Sequence, residues 1–173
     1  MPVWFVCGIW ARSSSRTSVN NQMEEKKDLE QIVKDRIQLV ADMIPGSIGD
    51  LMKFHLISCD PDRGEYTLGC STGEWMRNVA GTLHGGMCAT IVDQAMGFIA
   101  HCVKPGEGVA PTVQMQVCYH RPLIPGKDVI VRVKVLSVTK SLMHLTGEAV
   151  LAEEPDRICL TSTGMYFYKP ARQ

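Results

Sequence analysis

The segment Asn78 to Gly97, NVAGTLHGGMCATIVDQAMG, holds the residues best suited to chemistry. Gly85 and Gly86 follow His84 at what reads as the start of a helix. A glycine pair there lets a ligand approach exposed backbone N–H groups, and the helix macrodipole adds partial positive charge at the same end. Such an end is an oxyanion site. It stabilises a carbonyl oxygen that gains charge as a nucleophile attacks, and the N–H of either Gly85 or Gly86 would serve. Asp93 stands further along the same helix, about 13 Å from His84 at 1.5 Å per residue. A carboxylate on a mostly buried helix is partly desolvated, which suits it to activate water or to attack the carbonyl carbon itself. One subunit cannot bring both groups to one carbonyl. Two such helices packed antiparallel across a two-fold axis would do so, which makes the expected site dimeric.

The elements that must position these groups follow from periodicity. Residues 84 to 103 are apolar almost all round, and Thr90, Asp93, Gln94, Gly97 and His101 fall within about 100° of one another on a helix. That pattern predicts a helix buried on most sides. From Glu24 to Met43, Leu29, Ile32, Val33, Ile37, Leu39, Val40 and Met43 recur at spacings of three and four, predicting an amphipathic helix stopped by Pro45 and Gly46. Phe54 to Cys59 and Glu65 to Ser71 read as a hairpin joined by Asp60-Pro61-Asp62-Arg63-Gly64. Beyond residue 112 the sequence alternates with period two: Val113 to Tyr119, Val129 to Val135, Met143 to Leu151 and Ile158 to Tyr168. These four runs are expected to form an antiparallel meander. The fold class is α+β, with a curved antiparallel sheet wrapped around one long central helix.

Composition bounds the function. The 173 residues suit one domain, and Lys plus Arg and Asp plus Glu both total 18, so nothing in the net charge draws the chain to nucleic acid or to a membrane. The longest apolar stretch, residues 87 to 103, is too short and too polar for a membrane span. Seven cysteines at irregular spacing, with no CxxC pair, read as buried thiols in a reducing, cytoplasmic setting. No compact His or carboxylate cluster suggests a metal, and no GxSxG elbow or phosphate loop suggests a serine hydrolase or nucleotide hydrolysis. Residues 1–22 contain no acidic residue and differ in composition from the rest. Their apolar part precedes the arginines, the wrong order for a secretory signal; Arg12, Arg16 and the serines leave a mitochondrial presequence open, though the repeated arginines of an amphipathic transit helix are missing. They are set apart as a leader or disordered extension, leaving 23–173 as the folded domain.

Asn78, the step to His84-Gly85-Gly86, and Asp93 after a further helical stretch together resemble the hotdog-fold acyl-CoA thioesterases of the phenylacetate-degradation (PaaI-like) type, over residues 30 to 168. The resemblance implies hydrolysis of an acyl-CoA thioester without a separate cofactor, coenzyme A being part of the substrate. It also implies a homodimer, and a homotetramer built as a dimer of dimers. By position, Gly85 corresponds to the backbone donor to the thioester carbonyl and Asp93 to the general base or nucleophile. Asn78 and His84 correspond to residues shaping the site around the leaving thiolate, and Thr112 falls where some relatives hold the attacking water with a serine. Gly86, Lys140 and Ser141 fall where substrate is held, the latter two near the coenzyme's phosphates. Taken alone, His84 reads as a capping or core histidine, and Lys140 as a solvated turn lysine. Two other readings stay open on the same scaffold: a non-catalytic acyl-CoA-binding module, and an acyl-thioester hydratase. The helix at 24 to 45 is too little for the DNA-binding unit that a regulatory module of this kind would carry.

Overall fold

The computed structural model describes residues 16–104 and 108–169, with side chains described from Asp28 onward. In chain order these form α1 (Arg16–Met43), α2 (Ile48–Leu51), β1 (His55–Asp60), β2 (Glu65–Ser71), a 3-10 turn (Glu74–Met76), α3 (Gly85–Cys102), β3 (Thr112–Tyr119), β4 (Asp128–Val138), β5 (Leu142–Leu151) and β6 (Ile158–Phe167). Because α1 begins at Arg16, its first turns fall within the stretch set apart as an extension, while residues 1–15 lie outside the described residues.

The period-two runs become strands because each must put one face on the core. In β4, Val129, Val131 and Val133 are buried, while their neighbours Ile130, Arg132 and Lys134 face outward and are less covered. The β1–β2 turn needs its glycine: Gly64 sits at φ +65°, and a Cβ there would lie 3.1 Å from the Val135 carbonyl oxygen. Irregularities between Leu56 and Ser58, Thr112 and Gln114, Val135 and Ser137, and Ala149 and Val150 add local twist, which curls the sheet.

The strand order is β1-β2-β4-β5-β6-β3, all antiparallel neighbours. This corrects the expected four-strand meander: β4, β5 and β6 do run as one, but β3 pairs only with β6, at the far edge of the sheet. After β3 the chain does not turn back on itself. The N–H groups of His120 and Arg121 go to the Cys159 carbonyl, at 2.8 and 3.1 Å, and the Leu123 carbonyl takes the N–H of Leu83 at 2.9 Å. Pro122 and Pro125 have no N–H to offer a ladder. Residues 120–127 therefore pass the start of α3 and deliver β4 beside β2.

α3 packs against β2 through β6 on one side and against α1 on another. That double cover is why its sequence is apolar almost all round: Cys88, Ile91, Val92, Ala95, Met96, Phe98, Ile99, Ala100 and Cys102 are all buried. Phe98 meets Phe54 edge-on at 5.5 Å between ring centroids. Removing one such side chain, as in Ile99→Ala, costs about 2–5 kcal/mol. The stripe Gly86, Thr90, Asp93, Gln94, Gly97 and His101 stays less covered, on the flank beside the open edge formed by β3. Val113 and Tyr119 on β3 are 56% and 55% exposed. Cys118 on the same strand is exposed, which corrects the reading of the cysteines as uniformly buried; Cys70, Cys88, Cys102 and Cys159 are.

Candidate active site

Asn78 makes the loop that delivers α3. Its Oδ1 accepts the N–H groups of Ala80 and Thr82, at 2.9 and 3.2 Å. Its Nδ2 donates to Thr82 Oγ1 at 2.9 Å and to the Leu83 carbonyl at 3.2 Å. Every one of these partners lies within five residues, so in this subunit the amide serves as an organiser of the loop. The loop closes through the His84 N–H on the Met76 carbonyl, at 2.8 Å.

His84 is the N-cap of α3. Its Nδ1 accepts the Gly86 N–H at 3.1 Å, which leaves the ring's other nitrogen as the donor. The Gly86 N–H is therefore taken. Gly85, at the first helical position, has no intrahelical acceptor for its N–H, and no other acceptor stands near it among the described residues. The open donor is Gly85, not Gly86. A Cβ on Gly85 would meet nothing closer than the Tyr119 ring at 3.7 Å, so the chain's own packing does not demand glycine there. Tyr119 also donates its hydroxyl to the Gly85 carbonyl at 3.0 Å, a contact that sequence reading did not single out.

Asp93, two turns along α3, receives two hydroxyls on one oxygen. Thr112, at the start of β3, donates to Oδ1 at 2.8 Å, and Tyr166 of β6 donates to the same atom at 2.9 Å. Oδ2 has no donor among the described residues and is not sealed in the interior. Burial first, then the Asp93 charge, push the Tyr166 hydroxyl far above its ordinary value, so it stays protonated and donating. Sequence reading found Thr112 and missed Tyr166. The signal available was a large polar side chain on the inward face of a core strand, which must find a partner for its hydroxyl.

Lys140 and Ser141 occupy the β4–β5 turn, away from both groups. Lys104, just past the end of α3, donates from Nζ to the Lys140 carbonyl, and the Ser141 carbonyl takes the Tyr168 N–H at 2.8 Å. That turn thus sits by the carboxyl end of α3, an 18-residue helix of about 27 Å, so Gly85 of the same chain is at the opposite end. His101 is structural: Nε2 accepts the Ala110 N–H at 3.0 Å and Nδ1 donates to the Gly97 carbonyl at 2.8 Å. Cys88 is no thiolate nucleophile, because burial pushes its thiol up to about 11. Met76, Met96 and Met143 are core.

A six-stranded antiparallel sheet curled over one long helix defines the hotdog fold. Its likeness to solved structures is direct. Thioesterase superfamily member 2 of zebra fish aligns with a TM-score of 0.67 at 24% identity, over 79% of this chain and 96% of that one. The E. coli PaaI protein from the phenylacetic acid degradation operon aligns with a TM-score of 0.64 at 16% identity, over 80% and 97%. A family model, the thioesterase superfamily, matches residues 80–157. Acyl-coenzyme A thioesterase 13 of Homo sapiens is 34% identical over 104 residues, 57% of this chain and 71% of the relative. The chain belongs to the thioesterase superfamily, as the residues from Asn78 to Asp93 had indicated.

Proposed function

We propose that the protein hydrolyses an acyl-CoA thioester at a site shared between two subunits, with the Gly85 N–H from one and Asp93 from the other. The observation that carries this is the division of the chemistry along α3. The open N–H of Gly85 and the open Oδ2 of Asp93 are separated by about 12 Å of helix, too far for one thioester to touch both. Both belong to the less covered flank of α3, beside an exposed β3 edge that another chain can extend. An antiparallel pairing of two copies brings each helix start to the middle of its neighbour and makes two equivalent sites. The name of the human relative supports acyl-CoA as the substrate class.

In this arrangement the thioester oxygen takes the Gly85 N–H as its charge grows. Oδ2 of Asp93 either takes the proton of a water that attacks the acyl carbon, or attacks that carbon itself to give an acyl-aspartyl anhydride that water then hydrolyses; in both routes the C–S bond breaks, and the coenzyme A thiolate takes up the proton that the water releases. His84 and Asn78 hold the donor in place. The Lys140–Ser141 turn lies by the carboxyl end of α3, about 13 Å of helix beyond the Asp93 level that the partner's helix start would meet, and we read it as a contact for the coenzyme's phosphates at the far end of an extended substrate. Two dimers joined as a tetramer complete the assembly we propose.

The test is thiol release across short, medium, long and aromatic acyl-CoAs. Wild-type protein turns over at least one class, and Asp93→Ala folds and dimerises but loses about 10²–10⁴-fold in kcat. Equal turnover by both proteins removes Asp93 from the mechanism; binding without turnover by wild type favours the non-catalytic module.

A further inference from the structure

We infer that Tyr166 is a positioning residue for Asp93: its hydroxyl, together with that of Thr112, fixes the carboxylate so that Oδ2 alone faces the reaction. The inference rests on the reading of Asp93 as the catalytic carboxylate and goes beyond it by assigning what aims that group.

The placement begins in the sheet. Tyr166 on β6 stands directly opposite Thr112 on β3, so the two side chains leave adjacent strands side by side on the concave face. On the other side Tyr166 faces Met143 of β5. Its ring is fully buried at 0% exposure; Gly164 on the same strand leaves the room for it, and Gly97 of α3 lies at ordinary contact distance. A Cβ on Gly164 would come within 2.8 Å of the ring, and one on Gly97 of α3 within 4.0 Å. A ring walled in this way has one position. From it the hydroxyl reaches Asp93 Oδ1 at 2.9 Å and the Asp93 main-chain carbonyl at 3.2 Å.

Thr112 by itself would be a weak restraint, because it is exposed and water competes for its hydrogen bond. Tyr166 has no such competitor, and a hydrogen bond shielded from water is the stronger one. With two donors on Oδ1, rotation of the carboxylate would break both bonds at once. Orientation of this kind acts on the rate of reaction more than on the binding of substrate.

The experiment is Tyr166→Phe, made alone and in the Asp93→Asn background, with kcat and KM from thiol release and a thermal melt for each protein. In the Asp93-intact enzyme, kcat falls about 10–100-fold while KM stays within about twofold. In the Asp93→Asn background, adding Tyr166→Phe leaves the residual rate unchanged, because there is no carboxylate left to aim. A folded Tyr166→Phe protein with wild-type kcat overturns the inference, as does an equal loss in both backgrounds, which would mark a purely structural role. Should the phenylalanine variant not fold, 3-fluorotyrosine at position 166 keeps the shape and strengthens the donor. The acidic limb of kcat then moves to lower pH, since a stronger donor favours the charged carboxylate, and an unmoved limb overturns the inference. Full activity in Asp93→Asn itself instead brings down the underlying reading of Asp93, an outcome distinct from the failure of Tyr166 alone.

Discussion

His84 caps the helix it precedes by accepting the Gly86 N–H on Nδ1, at 3.1 Å. The capping bond decides which of the two glycines keeps a free N–H. With Gly86 committed to the histidine, Gly85 is, on the proposed mechanism, the donor left for an oxyanion, and its missing side chain would let a carbonyl come close.

Stability and activity should therefore part company at Gly85. In Gly85→Ala the new methyl meets only the edge of the Tyr119 ring, at ordinary van der Waals distance, and φ there is not in the left-handed region. Losing the flexibility of glycine in the unfolded chain stabilises by about 0.4–1 kcal/mol. The same methyl stands where the thioester must approach, so kcat/KM should drop about 10²-fold or more, as when an oxyanion donor is removed. Urea denaturation and thiol release on one preparation check both halves; a variant that is active and more stable would show that Gly85 is not the donor.

A second expectation concerns alkaline pH. Burial pushes the Cys70 thiol up to about 12 and those of Cys88 and Cys102 up to about 11, against an ordinary value of 9.0. Burial likewise lifts Tyr66 to about 12. In each case the folded chain keeps a proton that the unfolded chain has released, so stability is full below about pH 9 and declines as pH rises toward 11. Each such group contributes a slope of about 1.4 kcal/mol per pH unit within its window. The urea midpoint, followed under reducing conditions, should be level from about pH 7 to 8.5 and fall steadily beyond 9. A midpoint unchanged at pH 10.5 would mean that these thiols reach water in the native state.

What could be read from sequence was whatever depends on neighbours along the chain. Residues 84 to 103 announced a buried helix because α3 is covered by the sheet and by α1, and Glu65 to Ser71 showed its strand through alternation and the turn before it. The cap at His84 and the free N–H at Gly85 are likewise local. The place of β3 was not legible, since pairing with β6 rather than β4 depends on where residues 120–127 find partners, among them Cys159 and Leu83. Cys118 escaped for the same reason: an edge strand leaves its side chains uncovered. Tyr166 showed in the sequence only as a core-strand hydroxyl in need of a partner; which partner it finds depends on the register that sets it opposite Thr112, 54 positions away in the sequence.

The division of the site between subunits can be tested without a structure of the dimer. If Gly85 of one chain serves Asp93 of the other, then Gly85→Val and Asp93→Asn proteins are each inactive as pure dimers, every site lacking one partner. A mixed dimer differs: the intact Gly85 of the Asp93→Asn chain faces the intact Asp93 of the Gly85→Val chain, and one of its two sites is whole. Random reassortment makes about half of all dimers mixed, so refolding an equal mixture from denaturant should restore about a quarter of the wild-type rate. Sites contained within one chain would give no recovery at all, because every chain in the mixture carries a lesion. Thiol release before and after co-refolding, with each variant refolded alone as its control, separates the two cases.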